Sequence, residues 1–328
     1  VEVRFDGNYG LAVHGTLLAE GTPTQPITFT SNLTEPVPGD WAFLDLRHDS
    51  TNSLLRHAVI EYGGNETQRG WYCNAGALCV NTASFELDQS VVQHSATRGL
   101  VLVQSDATIS DNIFHANGDE AIRLYSCNHN IGPCRPTISG NTFTQNASAI
   151  YFSHGQDPIL SDNQASDNDT NGIVVDTTGF QGDNVWEADL PYVLPGWRGF
   201  GGYGPVNVTI EPGAVIKIDG GGLEIKWSAV VTAAGTPEHP ITITSINDDS
   251  VGGDTNNNGD ATAPAPNDYG SVSVVGGEAH ALFEHTAFRY GGAGRIGSGP
   301  NIWLDGGGTA TLRSCDSSNS EVGAYAWR

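Results

Sequence analysis

Short runs of β-branched and aliphatic residues recur along the chain, each bounded by Gly, Asn, Asp or Ser. Few segments carry the 3.6-residue apolar period of an amphipathic helix. The pattern is clearest from about 84 to 176. There Val91–Ser95 precedes Gly99–Leu102, Ile109–Phe114 precedes Ala121–Leu124, Ile138–Phe143 precedes Ala149–Phe152, and Ile159–Asn163 precedes Gly172–Val175. The steps from Ser90 to Asn112 and from Asn141 to Asn163 are both 22 residues. The step from Asn112 to Asn141 is 29, stretched by an insertion that carries Cys127 and Cys134. A period near 22 with three short strands and no helix predicts a coil of parallel strands, each turn lying about 4.8 Å above the last. Inward Val, Ile, Leu and Phe then stack on their own kind. Asn112, Asn141 and Asn163 are expected to form a ladder at one corner, with Gly and Asn supplying the positive φ of the turns. Leucine-rich repeats share the period, but their Leu spacing and convex helices are missing.

A second pattern is duplication. Glu20–Ser31 returns as Ala234–Ser245, a shift of 234 − 20 = 214. His57–Gly64 returns as His285–Gly292, a shift of 285 − 57 = 228, so the second copy carries 228 − 214 = 14 extra residues between Ser245 and Asp268. Between the copies, 178–205 is rich in Gly, Pro and aromatics and reads as a junction. The expected organisation is a first unit over 1–177, a junction over 178–205, and a second unit over 206–328 that copies the first incompletely. Trp186, Tyr192, Trp197, Phe200 and Tyr203 are expected to cover an open edge or seam, with an exposed carbohydrate-stacking patch as the alternative. The chain opens and stops in mid-motif, which reads as a fragment or one unit of a longer protein.

The Ile-Ser-x-Asn-x-Phe and Gly-Ile-x-Leu pattern resembles the right-handed parallel β-helix repeat family, also called pectate-lyase-like. The blocks Ile210–Lys217 and Gly235–Ser245 are similar to modules of large secreted or surface proteins of bacteria and archaea. The resemblance implies an all-β fold, a right-handed parallel β-helix (solenoid) of two related stacks. It leaves function open, because such folds host lyases, hydrolases, adhesins and inert stalks.

Composition narrows the field. Against 14 Lys and Arg stand 37 Asp and Glu, a formal net charge of −23 over 328 residues. A nucleic-acid partner is excluded for want of a basic surface. A cleft for polyanionic sugars also lacks cations, since Lys217 and Lys226 are the two lysines. No run of 18 apolar residues is present, so no membrane span is expected. Cys73 and Cys79, and Cys127 and Cys134, sit close together in Gly/Asn/Pro-rich insertions. They are expected to form two local disulfides, which places the chain in an oxidising, extracellular setting. Cys315 reads as a small buried filler.

The 14 extra residues hold the clearest candidate chemistry. Asp254-x-Asn256-x-Asn258-Gly259 fits the opening of a calcium loop, where alternate side chains supply hard oxygens and Gly allows the sharp turn. The Glu usual at the twelfth loop position is replaced by Ala265. Asp248, Asp249, Asp260 or Asp268 must complete the shell. The expected Ca²⁺ ligands are Asp249, Asp254, Asn256, Asn258 and Asp260. Catalysis has weaker support. The Gly-His-Gly of polygalacturonase-type hydrolases is missing, and the sole Asp-Asp pair, Asp248-Asp249, lies in this loop. Asp119, Glu120 and Arg123 are the best local catalytic candidates, although strand alternation would put Glu120 and Arg123 on different faces. His57 and His285 match between copies, which argues for a structural part. Asn-x-Ser/Thr sequons at Asn32, Asn65, Asn146, Asn168 and Asn207 are glycosylation candidates. The resulting expectation is a non-catalytic extracellular structural or adhesive module of a larger cell-surface protein or fibre. Its expected partners are other copies or neighbouring modules, with carbohydrate as a further candidate. The alternative is a glycan-active lyase or hydrolase.

Overall fold

In the computed structural model the described residues are 1–65, 76–82, 84–125, 134–153, 156–177, 179–202, 204–294, 297–320 and 322–326. Among them every element is a β-strand apart from one 3-10 turn, Gly259–Ala261. The chain forms two compact units. One holds the described residues up to Phe152 together with Pro158–Asn171. The other holds Ser153, Gln156, Asp157 and the described residues from Gly172 onward.

In the first unit each coil contributes one strand to each of three parallel sheets. The coil Val91–Gln93, Arg98–Val103, Thr108–Ser110 is followed by Ile113–His115, Ile122–Tyr125, Thr137–Ser139, then by Thr142–Thr144, Ser148–Phe152, Ile159–Ser161. Register places like on like. Leu44, Leu78, Leu100, Ile122 and Ile150 are successive partners, as are Leu55, Leu87, Ile109, Ile138 and Leu160. Phe114 stacks on Phe143 with ring centroids 5.4 Å apart. All of these side chains are buried, so the apolar columns are the core.

Two corners turn each coil, and both use the same device. A residue in the left-handed region comes first: Asp111 (φ 55°), Gly140 (φ 66°) and Asp162 (φ 57°) at one corner, Ala116 (φ 52°), Gln145 (φ 58°) and Asp167 (φ 57°) at the other. A buried amide follows. Asn112 donates from its backbone N and from Nδ2 to Asn141 Oδ1, both at 3.0 Å, and Asn141 does the same to Asn163 Oδ1 at 3.1 and 3.0 Å. The ladder expected at Asn112, Asn141 and Asn163 is therefore present. A second one, not foreseen, runs five residues later through Asn117, Asn146 and Asn168 to Asn171. The positive φ comes mostly from Asp, Gln, His and Ala rather than from Gly or Asn. A non-Gly residue there costs roughly 1–2 kcal/mol, which the paired amides offset.

The second ladder corrects two site expectations. Asn146 and Asn168 are buried, and their Nδ2 atoms donate to the next amide and to the carbonyls of Phe114 and Thr144, and of Phe143 and Ser166. A glycan has no nitrogen to attach to and no space to occupy. Asn32 and Asn207 are exposed, while Asn65 is half-buried and donates to the Gly39 carbonyl.

In the second unit Gly182–Trp186, Val206–Ile210, Ala229–Ala234, His280–Glu284 and Thr309–Arg313 form one parallel sheet. The long strand Val215–Lys226 splits its pairing: Val215–Ile218 pairs with Ile241–Ser245 and Leu223–Lys226 with Val272–Val275. The division falls after Asn171, and the expected junction at 178–205 holds the strands Gly182–Trp186 and Tyr192–Phe200, the second with a register shift between Pro195 and Trp197. Its aromatics are core: Trp186 stacks on Tyr192 at 4.4 Å, and Phe180 and Phe200 pack edge-on. Trp197 is exposed, and Tyr203 lies outside the described residues. The Gly richness has a steric cause here, since a Cβ on Gly199 would lie 2.7 Å from the Glu224 carbonyl oxygen.

The duplicated motif also has a physical reading. Gly21 and Gly235 each pass so close to a histidine carbonyl that a Cβ would lie 2.6 Å from His57 O and 2.7 Å from His285 O. Those carbonyls accept from Ile27 N and Ile241 N. His57 and His285 hold φ of 47° and 43°, which gives both a structural role.

Asn141→Ala would strip Asn112 N of its acceptor and remove a link from the ladder. It should cost about 1–3 kcal/mol, read from the urea midpoint, whereas Asn32→Ala should be near neutral. A second prediction concerns pH. Asp45 is buried beside Arg47 at 2.7 Å. Burial raises its carboxyl above 3.8, against the opposing pull of Arg47 and His14. The native state then binds the proton more tightly than the unfolded chain. The contribution of this group to stability should fall as pH rises from 3.8 through the raised native value. Urea titrations across that range should show the slope in the parent and a flatter profile in Asp45→Asn.

Candidate functional site

Asp119 and Glu120 sit in the turn that leads into the strand Ile122–Tyr125. Because Glu120 precedes the strand, alternation does not separate it from Arg123, contrary to the expectation from sequence. Arg123 approaches Glu120 Oε1 at 2.6 Å and lies over the Tyr151 ring, 4.2 Å from its centroid. Arg98, one coil away, bonds Glu120 Oε2 through Nε at 2.7 Å and Asp119 through its terminal nitrogen at 2.8 Å. The sequence reading missed Arg98, which opens the facing strand 22 residues before Glu120. Glu120 is buried, and each of its carboxylate oxygens meets a guanidinium. The group is an ion network holding two coils together. Glu120→Gln should take the Glu120 charge from Arg123 and leave Arg98 with Asp119, at a cost of about 3 kcal/mol by urea denaturation.

The second candidate lies in the connection 246–271, between Ile241–Ser245 and Val272–Val275. Two of its acids are consumed by the scaffold. Asp248 accepts from Thr244 Oγ1 at 2.7 Å and from Ser250 N and Oγ at 3.2 and 2.5 Å, with Arg289 at 3.7 Å. Asp268 Oδ2 accepts from Ser245 Oγ, Asn247 Nδ2 and Ala265 N. Asp260 is exposed. Asp254 folds the loop onto itself, accepting from Asn258 N at 3.1 Å and Gly259 N at 2.8 Å.

The remaining donors point elsewhere. Asn256 Nδ2 donates to Asn247 Oδ1, and Asn258 Nδ2 donates to Thr262 Oγ1, whose own proton goes to Asn247 Oδ1. This chain fixes both amides with nitrogen outward. Asn256 Oδ1, Asn258 Oδ1 and Asp249 Oδ1 are buried, each with less than 1 Å² accessible, and accept no hydrogen bond. Burial and the neighbouring Asp254 raise the Asp249 carboxyl; Lys217 opposes them. Lys217 is fully buried, donates to the Gly253 carbonyl at 2.6 Å, and is pushed down chiefly by burial. Among the described residues no three His, Cys, Asp or Glu side chains gather as a metal cluster. The loop instead offers carboxylate and amide oxygens together, a donor set suited to a hard cation.

Other expectations fall elsewhere. Cys73 and Cys127 lie outside the described residues, so the pairings Cys73–Cys79 and Cys127–Cys134 do too. Cys315 is half-buried, not buried, with Sγ 3.3 Å from the Phe283 carbonyl. No helix among the described residues is long and apolar enough to cross a membrane.

The family model described as "Right handed beta helix region" matches residues 50–187. Among solved structures, the catalytic domain of a GH87 alpha-1,3-glucanase in complex with tetrasaccharides is similar over 100% of this chain, at 12% identity and a TM-score of 0.38. This chain spans 64% of that chain's length. Comparison with curated proteins finds no match.

Proposed function

With residues 50–187 forming a right-handed β-helix region, we propose that the chain is a non-catalytic structural or adhesive module of a larger extracellular, cell-surface protein or fibre. The observation that carries this reading is the state of the best catalytic candidates. Asp119 and Glu120 are taken up by Arg98 and Arg123 and serve coil-to-coil cohesion. Strand edges support a role in assembly. Glu2–Phe5, Leu11–Val13 and Leu18–Glu20 pair on one side, as do Thr309–Arg313, Asp316–Ser318 and Val322–Ala326 in the other unit. Such edges offer unpaired backbone groups to a further coil, from the same protein or from another copy. The net charge of −23 suits a solvated outer surface. Two disulfides, Cys73–Cys79 and Cys127–Cys134, and glycans at Asn32, Asn65 and Asn207 belong to the same reading.

A screen of acidic and neutral polysaccharides, with and without Ca²⁺, tests it. No new reducing ends and no unsaturated products are expected, and electron microscopy should show particles joined end to end. Released products would overturn the non-catalytic assignment in favour of a glycan-active enzyme. Uniformly monodisperse single particles would remove the assembly role.

A further inference from the structure

We propose that the loop 247–262 is a calcium site in which Asp249, Asp254, Asn256 and Asn258 supply the protein oxygens. The inference does not depend on whether the module is adhesive or enzymatic. It rests on three side-chain oxygens that are buried to less than 1 Å² and yet accept nothing: Asp249 Oδ1, Asn256 Oδ1 and Asn258 Oδ1. Burying an acceptor without a partner is costly, and three within ten residues of chain call for a shared cation. The amide nitrogens of Asn256 and Asn258 are committed to Asn247 and Thr262, so neither amide can rotate to relieve its oxygen without breaking that chain.

Charge points the same way. Asp248, Asp249, Asp254 and Asp260 crowd into this stretch, with Lys217 near Asp249 and Arg289 3.7 Å from Asp248 as the neighbouring cations. Lys217 is already bonded to the Gly253 carbonyl, which leaves its ammonium too few donors for three further acceptors. A divalent ion with six to eight hard oxygen ligands can satisfy them, with water completing the shell. Asp254 stands first in the loop, Asn256 third and Asn258 fifth, and Asp249 arrives from the preceding turn in place of the missing bidentate acid at Ala265. Two carboxylates and no bidentate Glu place the affinity in the weak class of extracellular modules, with a dissociation constant of about 10⁻⁴–10⁻³ M.

The insertion joins Ile241–Ser245 to Val272–Val275, which pair with the two halves of Val215–Lys226. Calcium bound there closes the loop on the coil beneath it and ties both strands. It should therefore stabilise the second unit as well as the loop.

The test uses the full chain stripped with chelator. Isothermal titration with CaCl₂ should give one site in the stated range, and the thermal midpoint should rise with calcium. Magnesium at the same concentration should do neither, because it demands a stricter octahedron and sheds water reluctantly. Asp249→Asn, nearly isosteric, should keep the midpoint seen in chelator and weaken calcium binding at least about ten-fold. Asn258→Ala should likewise lose the calcium-dependent rise. No calcium heat up to ~10 mM, well above the expected range, would overturn the proposal. So would an equal response to magnesium, or parental affinity in Asp249→Asn.

Discussion

Corner geometry is the constraint on which each coil depends. A parallel coil must change direction within one or two residues while keeping its backbone paired to the coils on either side. Here a left-handed residue makes the bend, and the amide that follows satisfies the groups the bend leaves bare. In the column Asn112, Asn141, Asn163, the Oδ1 atoms of Asn141 and Asn163 each take two hydrogen bonds from the preceding Asn, Asn112 Oδ1 takes one from Ser90 N, and Nδ2 returns bonds to backbone carbonyls such as Leu87 and Ile109. The side chain thus acts as a third strand-like ladder inside the protein, where an unmatched polar group would be expensive. Apolar columns fill the interior, but they do not set the register by themselves. A Leu over a Val is tolerated, as at Leu102 and Val80, whereas a slipped amide loses both of its neighbours.

The same economy governs the charged groups. With so few cations in the chain, several are placed where two coils meet. Arg98 bridges to Asp119 and Glu120, Arg56 holds Glu86 and Asp88, and Arg198 reaches Asp176. An acidic solenoid spaced at about 4.8 Å repeats like charges along a column unless something intervenes. The loop at 247–262 is the exception, because three of its buried side-chain oxygens accept no hydrogen bond.

Much of this was legible in the order of residues. The 22- and 29-residue steps gave the coil, the three-strand plan and the first amide ladder, because periodicity is a property of the chain itself. The second ladder repeats those steps five positions later, but two of its members, Asn146 and Asn168, fall in Asn-x-Ser/Thr sequons and so read as glycosylation acceptors. Sequence alone does not say that both Asn-rich corners turn their amides inward. The stretch at 178–205 reads as a junction for a related reason. Gly and Pro mark turns, but Gly199 is there because a backbone from the next coil leaves no space for a Cβ.

The sequence by itself determined the repeat, the all-β character, the duplication and the position of the acidic insertion, since each depends on spacing along one dimension. Tertiary structure decided which groups meet. It joined Arg98 to Glu120 across a coil, turned Asn146 and Asn168 inward, and directed the Asn256 and Asn258 amides so that their oxygens stand unmet. Those are contacts between residues 22 or more apart, or choices between two faces of one side chain, and only the stacking of coils resolves them.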